Sequence, residues 1–136
     1  MRDTVRPGLE TSMTITVAPE RTVPHLLPES EHSAAMPEVL AAGYLVGIVE
    51  WACMRALDGH LDAGEHTLGV HVDLSHDAPT PPGCPLTVQV ELTAVDGRQL
   101  TFAVHAADDA ATVCRGIHRR AVIDTTRFTS RIRERR

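Results

Sequence analysis

Lysine is absent, and every one of the 13 basic residues is arginine. That excludes Schiff-base chemistry and the lysine of a phosphate-binding P-loop, and no glycine-rich phosphate loop occurs either. Aromatic residues are scarce, at 3% of the chain. The arginine cluster in the tail, residues 127–136, therefore reads as a solvated, frayed terminus and not as a nucleic-acid surface, which needs stacking platforms. Cysteine is limited to Cys53, Cys84 and Cys114, an odd and scattered set without CxxC spacing. No disulfide framework follows; small buried hydrophobes and a cytoplasmic setting do. The eight histidines form no HxxxH or HExxH spacing, so no metal site is expected. No apolar run reaches the roughly 18 residues of a membrane span. The opening MRDTVRPGLETSM has no apolar stretch after its charges, so no secretory signal is expected.

What is present fits one globular domain of 136 residues, with 43% apolar residues and a net charge of −5. Residues 12–18 alternate polar and apolar and read as a first strand. Residues 22–36, with two prolines and several small polar residues, read as an irregular, lid-like segment. Pro37 suits the first turn of a helix running to about Leu61. Four strand-like stretches follow, at 66–76, 85–95, 98–107 and 111–124. Between them lie turns at Asp77–Gly83, Asp96-Gly97 and Asp108-Asp109. One long apolar helix and a sheet with enough strands to curl around it make an α+β domain.

The helix carries the first candidate for chemistry. In PEVLAAGYLVGIVEWACMRAL, from Pro37 to Leu57, Glu50 is surrounded by apolar residues and shares a helical face with Gly43, Gly47, Met54 and Leu57. A carboxylate there is paired, poised beside a wet pocket, or shifted toward its neutral form. The alternative is a position at the margin of the stripe, reaching water. His76 continues a row with Leu68, Val70, Val72 and Leu74, read as the inward face of its strand, with Gly69 on the other face. It is either an acid–base partner for Glu50 or a rim histidine satisfied by backbone. In the last strand Gly116, His118, Arg120 and Val122 share a face. Arg120 suits an anionic or carbonyl group, and His118 reads as a cross-strand surface residue. Gly43 and Gly47 suit close approach of a strand, and Tyr44 and Trp51 suit the core or an interface.

The helix block, Leu68-Gly69, HDAPTPPG from His76 to Gly83, GIHRRAVI from Gly116 to Ile123 and the upstream TVPHLLPES together resemble the fluoroacetyl-CoA thioesterase family of fluoroacetate-producing Streptomyces. The resemblance spans nearly the whole chain. It implies a hotdog fold, a long central helix wrapped by a five-stranded antiparallel sheet, and a homodimer whose sheets join edge to edge. It also implies hydrolysis of a small acyl thioester, with coenzyme A as part of the substrate and no separate cofactor. In that family a threonine, a glutamate and a histidine act together. Glu50 matches the glutamate, His76 the histidine, and Ala42 the threonine. Gly69 and Arg120 match positions that contact the substrate or thioester group. Two lid phenylalanines fall on Ser33 and Met36, so selectivity for fluoroacetate does not carry over. In this reading Glu50 activates water or attacks the carbonyl, and His76 orients it and assists the leaving thiolate. The Gly69 amide and Arg120 face the developing oxyanion. Because Ala42 has no hydroxyl, a non-hydrolytic acyl-thioester binder is a second reading. A lyase or isomerase on the same scaffold is a third.

Overall fold

The computed structural model describes residues 1–135. Its strands are β1 (Glu10–Thr16), β2 (Glu65–Leu74), β3 (Pro85–Asp96), β4 (Gln99–Ala107) and β5 (Thr112–Asp124). They form one antiparallel sheet in the order β1-β3-β4-β5-β2. Its helices are α1 (Val23–Leu26), α2 (Glu31–Ala34), α3 (Ala42–Ala56) and α4 (Thr125–Glu134). Strictly alternating β3 and β4 turn Leu86, Val88, Val90, Leu92, Leu100, Phe102 and Val104 to one side, all buried. Onto that side α3 lays Leu45, Ile48, Val49, Ala52, Cys53 and Ala56, at helical spacings of three and four. Each larger aliphatic side chain so buried stabilises the fold by about 1.5–3 kcal/mol. The Asp96-Gly97 hairpin forms where the sequence places it: Asp96 pairs with Gln99, and Gly97 takes a φ of +59°.

The long helix is shorter than its sequence suggests. It begins at Ala42, not Pro37, because the preceding backbone is already engaged. Leu40 N–H donates to Thr80 O, Ala41 N–H to Arg21 O, and Val23 N–H to Val39 O. This straps residues 39–41 in an extended path against Thr22. The helix ends at Ala56, ahead of Leu61, as Leu57 N–H turns back to Met54 O and Gly59 adopts a left-handed φ of +81°. The lid-like segment is not irregular throughout, since it holds α1 and α2. Nor is the arginine tail frayed: residues up to Glu134 form α4, and the Asp124 carboxylate caps it by accepting from Arg127 N–H at 3.0 Å.

The largest departure lies in β2. Its pairing with β5 slips between Gly69 and His71, leaving Val70 as an extra residue. Thr67 and Gly69 pair with Val122 and Arg120, so they face the helix, while Leu68 faces away opposite Ala121. Beyond the bulge Val72 pairs with His118 and returns inward. The row read as inward is thus split: a bulge moves every residue on one side of it to the opposite face. Leu68, Val70 and Val72 are all exposed, and His76 lies past the end of the strand.

Gly116 holds this strand pair together. Its φ is +149°, and a side chain there would collide with the backbone carbonyl of Asp73. Gly116→Ala is expected to lower stability by about 3 kcal/mol, read as a reduced midpoint in thermal or urea denaturation.

Candidate active site

Glu50 sits on the third turn of α3, beside the buried stripe and not within it. Its side chain is 35% exposed, and its Oε2 accepts from Arg120 Nη1 at 3.0 Å. Both readings of this residue hold in part: it is paired, and it reaches the margin. Arg120 itself is buried, with 2% of its side chain exposed. A guanidinium keeps its charge in any protein and has five N–H donors. Four are spent here. Nε donates to Thr67 Oγ1 at 2.8 Å and Nη2 to Thr67 O at 2.7 Å. Nη1 serves both Glu50 and His118 Nε2, the latter at 3.1 Å.

The geometry sets the state of His118. Arg120 can only donate, so His118 Nε2 must be an acceptor, and Nδ1–H then donates to His71 O at 2.9 Å. This ring is neutral and fully buried, which corrects its reading as a surface residue. Burial lowers its pKa below the ordinary 6.5, and the charge of Arg120 adds to the effect, against the His71 carbonyl. Gly69 closes the cluster. A β-carbon there would stand 3.1 Å from both Glu50 Oε2 and His118 Cε1, so the absent side chain leaves the carboxylate its place. Cys53 on the same helix is buried, and its thiol is pushed up to about 12, so it supplies no thiolate.

A second group forms apart from this one. Ala42 and His76 line an open hollow of about 330 Å³ with Val39, Leu40 and Pro79. Ala42 is exposed at the first turn of α3, eight residues before Glu50, or about 12 Å along the helix axis. Among the described residues no hydrogen bond or ion pair joins His76 to Glu50. The lid segment docks above this hollow. Gly43 admits Leu26 of α1, whose Cδ atoms lie 3.1 and 3.3 Å from where a β-carbon would be, so close approach is by the lid and not by a strand. Ser33 is tied down within α2, its N–H donating to Ser30 Oγ at 3.2 Å, and Met36 is exposed just beyond. Trp51 is also exposed, which removes it from the core.

The structure therefore joins Glu50, Gly69 and Arg120, and separately Ala42 and His76. Thr67 and His118 were missed in the sequence. His118 had a usable signal, since it shares an inward row with Arg120; Thr67 had none, because the bulge hides its orientation.

A central helix wrapped by a five-stranded antiparallel sheet, with a salt bridge where helix meets sheet, defines a protein of the hotdog-fold class. A model of the fluoroacetyl-CoA-specific thioesterase family matches residues 12–126. The fluoroacetyl-CoA thioesterase of Streptantibioticus cattleyicolor is 42% identical over 134 residues, covering 98% of this chain and 96% of that protein. Among solved structures, a threonine-to-alanine mutant of the fluoroacetyl-CoA thioesterase FlK in complex with fluoroacetate superposes with a TM-score of 0.93. Its identity is 42%, covering 97% of this chain and 99% of that one. A phenylalanine-to-alanine mutant of the same enzyme with fluoroacetate and CoA gives 0.89 at 44% identity, covering 91% and 99%. The chain belongs to the fluoroacetyl-CoA-specific thioesterase family, and it is a hydrolase acting on thioester bonds. No helix among the described residues is long and apolar enough to cross a membrane.

The neutral His118 makes the cluster sensitive to acid. Its folded pKa lies below the unfolded value, so between the two the unfolded chain binds more protons. The stability it contributes is complete above pH 6.5 and is lost as pH falls through the folded pKa. Urea denaturation across pH 5–7.5 is expected to show this decline, and His118→Gln, which does not titrate, is expected to reduce its slope.

Proposed function

We propose that the protein hydrolyses a small acyl-CoA thioester, with Glu50 as base or nucleophile. The observation that carries this is the Glu50–Arg120 pair: one carboxylate oxygen is held by a buried cation while the side chain stays open to solvent. Hydrolysis needs a water, an acceptor for its proton or a nucleophile to replace it, and a donor at the oxyanion. Glu50 supplies the proton acceptor or the nucleophile. Arg120, with most of its donors engaged, acts as a positioning residue that fixes Glu50, and the backbone near Gly69 is left to approach the thioester oxygen. His76 assists the leaving thiolate from the second hollow. The substrate of the relative from Streptantibioticus cattleyicolor, fluoroacetyl-CoA, supports a CoA carrier. Ser33 and Met36 in place of lid phenylalanines favour an acyl group other than fluoroacetyl. Ala42 in place of a threonine slows the reaction without removing binding; a threonine-to-alanine mutant of FlK was obtained with fluoroacetate bound.

Steady-state hydrolysis of a panel of short acyl-CoA esters tests this. Glu50→Gln keeps an oxygen for Arg120 to donate to, so it is expected to fold and to lose at least a hundredfold in kcat. Ala42→Thr is expected to raise kcat by about tenfold. Equal background rates from the native protein and Glu50→Gln would overturn the proposal.

We also propose that the working unit is a homodimer joined along β2. That strand lies at the sheet edge with a ten-residue unpaired side and exposed Leu68, Val70 and Val72, and such an edge is a template for pairing with another copy. A two-fold pairing there offers His76 of a second copy to Glu50, across a gap that one copy leaves open. Mixing Glu50→Gln with His76→Ala chains distinguishes the cases. Random two-fold dimers with composite sites recover about a quarter of native activity, whereas sites built within one copy recover none.

A further inference from the structure

The mechanism leaves one charged hollow unused. Between α4 and the end of β5 lies a space of about 380 Å³, lined by Arg98, Arg127, Arg131, Phe128, Glu65 and Val122. That is within the range of roughly 300–1,000 Å³ for ligand sites. Arg98 is committed: its Nε donates to Val122 O at 3.0 Å and its Nη2 pairs with Glu65 Oε2 at 2.9 Å. Arg127 and Arg131 are different. They stand four residues apart on one face of α4, both exposed, and no side-chain hydrogen bond or ion pair engages either guanidinium among the described residues. Phe128 beside them is half-buried. The segment Thr125–Arg135 carries four arginines against one glutamate, in a chain whose net charge is −5. A basic helix on an acidic body creates a local field that attracts anions.

The hollow is also in line with the catalytic cluster. Gly69 and Thr67 touch the Glu50–Arg120 pair, and Glu65 is the next inward residue of β2, about 7 Å beyond Thr67. Glu65 pairs with Asp124, the residue that caps α4. Arg131 lies about 10 Å further along that helix. A ligand with its reactive group at Glu50 and polyanionic charge at Arg131 must be extended, with a neutral arm between the two ends.

We infer that this hollow binds the phosphate groups at the nucleotide end of coenzyme A, with Arg127 and Arg131 as the recognition residues. The inference rests on the acyl-CoA reading above. Arginine's planar fork donates two parallel N–H bonds to a phosphate, and the face of Phe128 gives the adenine an apolar surface. The pantetheine arm spans the interval along β2 to the thioester.

The test compares acetyl-CoA with acetyl-pantetheine, which has the same thioester and arm but no nucleotide, in the native protein and in Arg127→Ala/Arg131→Ala. Both residues are exposed, and an unchanged thermal midpoint checks that α4 is intact. The expected result is a KM for acetyl-CoA raised about tenfold to a hundredfold at unchanged kcat, with acetyl-pantetheine unaffected. Calorimetric titration with free CoA is expected to weaken by the same factor and to lose its salt dependence. An unchanged CoA affinity, an equal effect on both esters, or failure of the native protein to bind CoA would each overturn the inference. CoA binding that depends on Arg127 and Arg131 in a protein that hydrolyses no thioester would support this site while removing the catalytic proposal.

Discussion

A single buried cation organises the centre of this protein. Arg120 comes from the last strand with its guanidinium almost fully removed from water, a state tolerated only when the charge and its donors are answered. The partners come from three separate elements: Glu50 from α3, Thr67 from β2, and His118 from β5 itself. Helix, edge strand and central sheet are thereby pinned at one point. The same bonds that settle the charge hold Glu50 in one orientation. Stability and the state of the site are thus difficult to separate, and removing the Glu50 carboxylate would leave the buried charge of Arg120 unanswered.

Around that point the chain leaves two things unfinished. The Ala42–His76 hollow opens about two turns of helix away from Glu50, and β2 presents an unpaired edge with apolar side chains in water. In the proposed dimer a second copy of the chain answers both. The bulge at Val70 contributes to each. It turns Gly69 toward the carboxylate, and it leaves the edge with hydrophobic residues on both faces. A strand that alternated without interruption would have buried the apolar row and pushed Gly69, with the space it provides, away from the helix.

Charge is divided in the same economical way. The body is acidic, while α4 carries a run of arginines, beyond the end of the strand pair that holds the Glu50–Arg120 pair. Cys53 and Cys114 are buried, and burial raises both thiols, to about 12 and about 11.

The amino-acid sequence by itself determined the order of the five strands and the long helix, the strand periods of β3 and β4, the Asp96-Gly97 hairpin, and the oddness of Glu50 within an apolar helix. Each of these is a local property, readable from spacing or from the demands of a single turn. The resemblance in the helix block and the HDAPTPPG turn was equally legible. Only the tertiary structure decided where α3 begins, because hydrogen bonds from Leu40 and Ala41 to the carbonyls of Thr80 and Arg21, distant in sequence, engage the backbone before Ala42. It alone decided which face of β2 meets the helix, since one extra residue in a ladder leaves no mark on side-chain alternation. And it alone turned His118 from a surface residue into the neutral acceptor of a buried arginine. The state of a titratable ring depends on what lies across space from it, and that is a property of the packed chain, not of its neighbours in sequence.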